Sequence, residues 1–142
     1  LWKIPFEGGE PTQITQNGAF ESFASPDGKL IYFTKAPSET GIWKVNIDGT
    51  EEAPVKGLED AGYWRFWTVT ADGLYYVSRT PNPPYKIRFY DVQTQETKDL
   101  TQTSHIPIPV YSGFSVSPAD QQILFGEVGQ SRSNIMLVKV AE

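Results

Sequence analysis

The sequence contains no cysteine and one histidine, His105. The first absence removes disulfides, thiolate chemistry and Cys-ligated zinc together, and it leaves the compartment open. Concentrated positive charge is also missing: Lys and Arg number 12 against 17 Asp and Glu, for a net charge of -5, with no basic cluster. A phosphate-binding surface needs such a cluster to release counterions, so no direct nucleic-acid contact is expected of this segment. No apolar run approaches the ~18 residues needed to cross a bilayer, and no charged-then-apolar leader stands at the start, so no membrane insertion is expected. Helical periodicity is almost absent. The chain opens at Leu1, without an initiator Met and already inside a strand-like pattern, and is expected to be cut from something longer.

What the 142 residues do contain is short apolar runs of four to eight, rich in Val, Ile, Phe, Tyr and Trp, broken by turn residues about every ten positions. Eleven Pro and 12 Gly punctuate the chain, with one dense loop at Arg79 to Lys86, "RTPNPPYK". One phrase recurs in three copies: "SPDGKLIYF" from Ser25, "TADGLYYV" from Thr70 and "SPADQQILF" from Ser117, the outer two 92 positions apart. A second phrase begins at Leu1 ("LWKIPFEGGEP"), Ile42 ("IWKVNIDGTEE"), Ile87 ("IRFYDVQTQET") and Ile135 ("IMLVKVAE"), at spacings of 41, 45 and 48.

A period of 40 to 50 residues with four short strands per unit is the mark of a β-propeller blade. The expected fold class is therefore all-β: a propeller fragment of about three four-stranded antiparallel blades, 13 strands in an open arc. The expected divisions are 1–16 (the last two strands of an incomplete blade), 17–58 (a blade), 59–104 (a blade) and 105–142 (a blade lacking its outer strand). The strand counts are two, four, four and three. In "SPDG", Ser25 can accept a turn hydrogen bond, Pro26 presets φ, Asp27 suits the third position and Gly28 closes a type I turn; Gly73 is expected to close the second hairpin in the same way. The strand that follows, Leu30 to Phe33, is apolar on both faces because each blade is sandwiched between neighbours. Trp43 is placed between two blades for the same reason.

These phrases resemble a known family. "SPDGKLIYF" followed by "GIWKVNIDG" is similar to the WD40-like repeat of the TolB-type propellers. The order "LWKIPFEGGEPTQIT", "SPDGKLIYF", "YWRFWTVTADGLYYV", "FSVSP" and "NIMLV" resembles the C-terminal part of propellers in bacterial winged-helix transcriptional regulators and some bacterial serine/threonine kinases. The departures are Ala119 and Asp120 in place of Asp-Gly, and Arg88 where Trp43 stands one blade earlier. The resemblance implies a non-enzymatic module that binds or senses a protein or small ligand within a larger bacterial signalling or transcriptional regulator. Its partners would include upstream blades and an effector domain of the same parent, and its location, periplasmic or cytoplasmic, would depend on that upstream segment. The alternatives are the propeller of a prolyl-oligopeptidase-like serine hydrolase and a TolB-like periplasmic scaffold. Upstream sequence would separate them.

No catalytic residue, metal site or cofactor is expected. His105 sits in the loop "TQTSHIPIP", and "GFSVSP" is not a G-x-S-x-G elbow, so neither a nucleophile nor an orienting carboxylate accompanies it. Asp27, Asp48, Asp72 and Asp120 fall on separate hairpins, whereas a calcium loop groups its oxygens within about a dozen residues; they read as turn formers. The most unusual segment is "GYWRFWTV", Gly62 to Val69. Tyr63, Phe66 and Trp67 read as inter-blade packing. If the first strand of each blade lines the axial channel, its entrance carries Trp64 and Arg65 beside Glu59 and Asp60, with Phe20, Glu21 and Tyr111 at the matching positions of other blades. Aromatic faces and a few polar groups converging at such a rim make these seven the expected ligand-binding residues.

Overall fold

The structure is a computed structural model that describes residues 1–104, 113–117, 119, 121–128 and 133–139. These residues form thirteen strands and no helix. The strands lie in four antiparallel sheets: β1 (Trp2–Lys3) with β2 (Thr12–Gln13); β3 (Ser22–Ala24), β4 (Leu30–Phe33), β5 (Trp43–Asn46) and β6 (Ala53–Pro54); β7 (Trp67–Val69), β8 (Gly73–Val77), β9 (Tyr85–Asp91) and β10 (Thr97–Thr103); and β11 (Phe114–Ser117), β12 (Gln122–Val128) and β13 (Ser133–Lys139). Each sheet is a meander in which sequence neighbours pair. The first strands of successive sheets lie beside one another, β3 against β7 and β7 against β11, and the row of sheets is open.

Alternation along the inner strands explains the stacking. On β4, Ile31 and Phe33 pack with Val45 and Ile14 against the two-stranded sheet, while Tyr32 points the other way, into a cluster with Ile42, Leu58, Trp67, Leu74 and Tyr76. On β8, Leu74 and Tyr76 join that second cluster, and Val77 joins a third with Phe66, Tyr85, Ile87, Ile123 and Phe125. Successive side chains of a strand face opposite sides, so a strand apolar at every position has two apolar faces and needs a sheet on each. Burying each such side chain contributes about 1.5–3 kcal/mol. Trp43 packs on the first cluster but is only half-buried, and the Lys35 ammonium stands 4.5 Å from its ring centroid.

The two Asp-Gly hairpins differ. In the first, the Gly28 N–H donates to the Ser25 carbonyl at 2.8 Å, the Leu30 N–H donates to Ser25 Oγ at 2.9 Å, and Gly28 takes φ +70°, open to solvent. Asp27 Oδ1 accepts from Lys29 N–H and Asp48 Oδ1 from Thr50 N–H, so both carboxylates are engaged in their own turns. The second hairpin corrects the expectation for Gly73. It is the first residue of β8, paired with Asp91 and without a left-handed φ, and a Cβ there would stand 1.9 Å from the Tyr90 carbonyl oxygen. Its requirement is close strand approach rather than turn geometry. The third hairpin's Pro118 and Asp120, and His105, lie outside the described residues.

Candidate functional site

The run "YWRFWTVT", Tyr63 to Thr70, has the pattern of a single opening strand for the third sheet, but the structure corrects that extent. β7 starts only at Trp67; before it, Phe66 N–H donates to the Tyr63 carbonyl at 3.1 Å, closing a turn in which Trp64 and Arg65 take φ +43° and +59°. Left-handed backbone costs a non-glycine residue about 1–2 kcal/mol, so tertiary contacts must hold it. They do: Trp64 N–H donates to the Pro37 carbonyl at 3.1 Å, and Arg65 N–H donates to Glu21 Oε2 at 2.8 Å. Directly after the turn, Phe66 and Trp67 are driven into opposite clusters, each almost fully buried.

Glu21 comes from the neighbouring sheet. Phe20 and Glu21 continue the β3–β4 ladder past its end: Phe20 N–H donates to the Thr34 carbonyl at 2.8 Å and Thr34 N–H to the Glu21 carbonyl at 3.0 Å. This places the Glu21 side chain at the junction with β7. It is 8% exposed, and its Oε2 accepts from Arg65 N–H and from Trp67 Nε1 at 3.3 Å. Oε1 accepts nothing; among the described residues it is the one buried side-chain nitrogen or oxygen without a hydrogen-bond partner. The Arg65 guanidinium Nε stands 4.0 Å from it, beyond hydrogen-bond reach, on a side chain 67% exposed. Burial raises the Glu21 carboxyl above its ordinary value, opposed by the hydrogen bonds from Trp67 and Arg65 and by the Arg65 charge.

Beside this carboxylate lies an open cleft of about 330 Å³ lined by Phe20, Glu21, Ser22, Phe23 and Arg65. Phe20 is half exposed and meets Trp64 edge to face at 6.5 Å, extending the apolar wall; Phe23 meets Trp67 edge to face at 4.7 Å, forming the inner one. Of the seven expected residues, the structure thus gathers Phe20, Glu21, Trp64 and Arg65. It does not bring Glu59 or Asp60 to the cleft. The Glu59 carboxylate caps Gly57 N–H at 2.9 Å, and Asp60 accepts from Arg88 at 3.0 Å and from the Tyr76 hydroxyl at 3.2 Å. Tyr111 lies outside the described residues. Ser22 and Phe23 were not expected at the site, although strand alternation from Glu21 marks Phe23 as its neighbour on one face. Trp67, expected only as packing, also orients the carboxylate.

No family model matches the chain, and no curated protein matches it in sequence. Solved structures do match in fold. TolB from Acinetobacter baumannii superposes with a TM-score of 0.69 at 18% identity over 92% of this chain and 32% of its own. Oligogalacturonate lyase from Vibrio parahaemolyticus gives 0.67 at 17% over 99% and 42%, and a structure of a nidogen/laminin complex gives 0.66 at 18% over 95% and 51%. The fold is a β-propeller fragment. At these identities the likeness speaks for the fold alone, and the chain spans about a third to a half of the structures it matches. Within a propeller, the cleft falls between the opening strands of two adjacent blades, where β3 meets β7.

Proposed function

We propose that this chain is a non-enzymatic binding or sensing module that holds its ligand in the cleft between the blades of β3–β6 and β7–β10. The observation that carries the reading is Glu21 Oε1, a buried anionic acceptor with no donor, beside an open cleft with aromatic walls and an exposed guanidinium. Leaving such an acceptor unpaired is costly, and a ligand's donor at Oε1 would supply the missing partner. The resemblance of the repeats to propellers of bacterial regulators supports a place in a larger signalling or transcriptional protein, with the effector chemistry elsewhere. The non-enzymatic part of the reading rests on the single histidine, the absence of cysteine and the lack of a phosphate-cradling glycine motif. Ligand-observed NMR of the chain against a mixture of small polar and aromatic compounds tests it. Weaker binding in both Glu21→Gln and Arg65→Ala is expected, together with no turnover of ester, peptide or nucleotide substrates. Binding indifferent to both substitutions, or turnover, overturns it.

A further inference from the structure

Glu21 and Arg65 are an anion and a cation side by side, and neither is fully engaged. The carboxylate is fixed in orientation, because Oε2 already accepts from Arg65 N–H and Trp67 Nε1, yet Oε1 has no donor. The guanidinium belongs to a residue whose backbone is pinned to that same carboxylate, while its side chain is 67% exposed and its Nε stands 4.0 Å from Oε1. Oε1 is itself shielded from solvent, so a ligand would reach it by displacing this side chain outward, a motion that breaks no hydrogen bond of the Glu21 carboxylate.

We propose that the cleft between β3 and β7 binds a free α-amino acid with an apolar side chain, its ammonium donating to Glu21 Oε1, its carboxylate received by the Arg65 guanidinium and its side chain lying against Phe20 and Phe23. The inference rests on the rim-binding reading above and names a ligand class for it. Adjacent opposite charges select the class. A ligand carrying only positive charge would meet the Arg65 cation, and one carrying only negative charge would meet the buried Glu21. A zwitterion with both groups on one carbon satisfies the two together. A charged donor is also the partner that offsets burial of a carboxylate best, and guanidinium presents the planar fork that a carboxylate matches. Burial raises the Glu21 carboxyl, and a cationic donor at Oε1 would oppose that rise. Size agrees: about 330 Å³ is at the small end of ligand pockets and enough for a single amino acid.

Titration of the intact chain with L-phenylalanine and L-leucine, followed by calorimetry and tryptophan fluorescence, tests the proposal. N-acetyl-L-phenylalanine, L-phenylalaninamide and benzyl alcohol serve as the arms that lack the ammonium, the carboxylate or both. Saturable binding of the free amino acids is expected, with at least a tenfold loss on acetylation or amidation. Glu21→Gln is expected to erase the discrimination against the acetylated probe and Arg65→Ala that against the amide. Arg65 is exposed, so its variant keeps the proposal falsifiable even where Glu21→Gln disturbs folding. If benzyl alcohol and the blocked derivatives bind as tightly as the free amino acid and both substitutions still abolish binding, the zwitterion is overturned while the cleft stands. If no probe binds saturably, the amino-acid proposal is overturned; if probes bind regardless of both substitutions, the cleft reading falls with it.

Discussion

Trp67 Nε1 donates to Glu21 Oε2 at 3.3 Å across the junction of two sheets, so the residue that fills the gap between blades also aims the carboxylate beside the cleft. Trp67 is fully buried. Trp67→Ala is expected to cost about 3–5 kcal/mol in unfolding free energy, the usual range for emptying an aromatic site. The half-buried Trp43 is expected to cost clearly less on the same change. Chemical denaturation of the two variants gives the order; equal losses would contradict the assignment of the two indoles.

Glu21 sets a pH dependence. Burial raises the folded carboxyl above its unfolded value. Between the two values the folded chain holds a proton that the unfolded chain has shed, so stability falls as pH rises through that window and is fully retained below it. Glu21→Gln, which has nothing to ionise, is expected to gain on the wild type as pH climbs from the ordinary glutamate value of about 4.3. Urea midpoints from pH 4 to 8 measure it. Parallel curves for the two proteins would show that Glu21 is not the group responsible.

The glycines of the two Asp-Gly hairpins should respond unequally. Gly28→Ala meets open space and only a left-handed φ, for a cost of about 1 kcal/mol. Gly73→Ala places its Cβ against the Tyr90 carbonyl, a backbone obstacle that cannot turn aside. Overpacking of this kind costs about 1–3 kcal/mol and is expected at or beyond the upper end. Thermal midpoints compare them, and a milder effect at Gly73 would refute the close strand contact.

Asp60 ties the turn after β6 to the sheet of β7–β10. Its carboxylate accepts from Arg88 at 3.0 Å and from Tyr76 at 3.2 Å, and Arg88 Nε also donates to Asp99 at 2.7 Å. Burial, reinforced by the Asp60 charge, pushes the Tyr76 phenol up to about 12. Arg88→Leu leaves Asp60 without its cation; because both groups are about one-quarter to one-third exposed, the cost is expected near the low end of charged hydrogen bonds, about 1.5 kcal/mol. A double-mutant cycle with Tyr76→Phe should show coupling. Strict additivity would mean that the three side chains do not act as one unit.

Much of this architecture is legible in the sequence because it depends on local chemistry. "SPDG" fixes a turn by the needs of its own backbone, and "LIYF" announces two apolar faces by carrying no polar residue between them. The site is less legible because its defining features are set from a distance. Tyr63 to Trp67 has the aromatic content of a strand, yet Trp64 and Arg65 turn left-handed, held by the hydrogen bonds their N–H groups donate to Pro37 and Glu21, which no local pattern reveals. Asp60 reads as a rim acid, but Arg88, 28 residues on, claims it. Whether a glutamate's second oxygen lacks a donor depends on what the next sheet brings to it.

The two-sided strands β4 and β8 have a further consequence for how the protein comes apart. Each hydrophobic cluster belongs to a seam between sheets rather than to any one sheet: Tyr32 and Tyr76 serve one seam, Phe33 and Val77 the seams on either side. A sheet detached from its neighbour forfeits half of its interior at once, so local damage is transmitted to adjacent units and fades with distance along the row, as in a chain of nearest-neighbour couplings. Loosening the Tyr32–Tyr76 seam should therefore raise hydrogen exchange in β4 and β8 together while leaving β12, one seam away, the better protected.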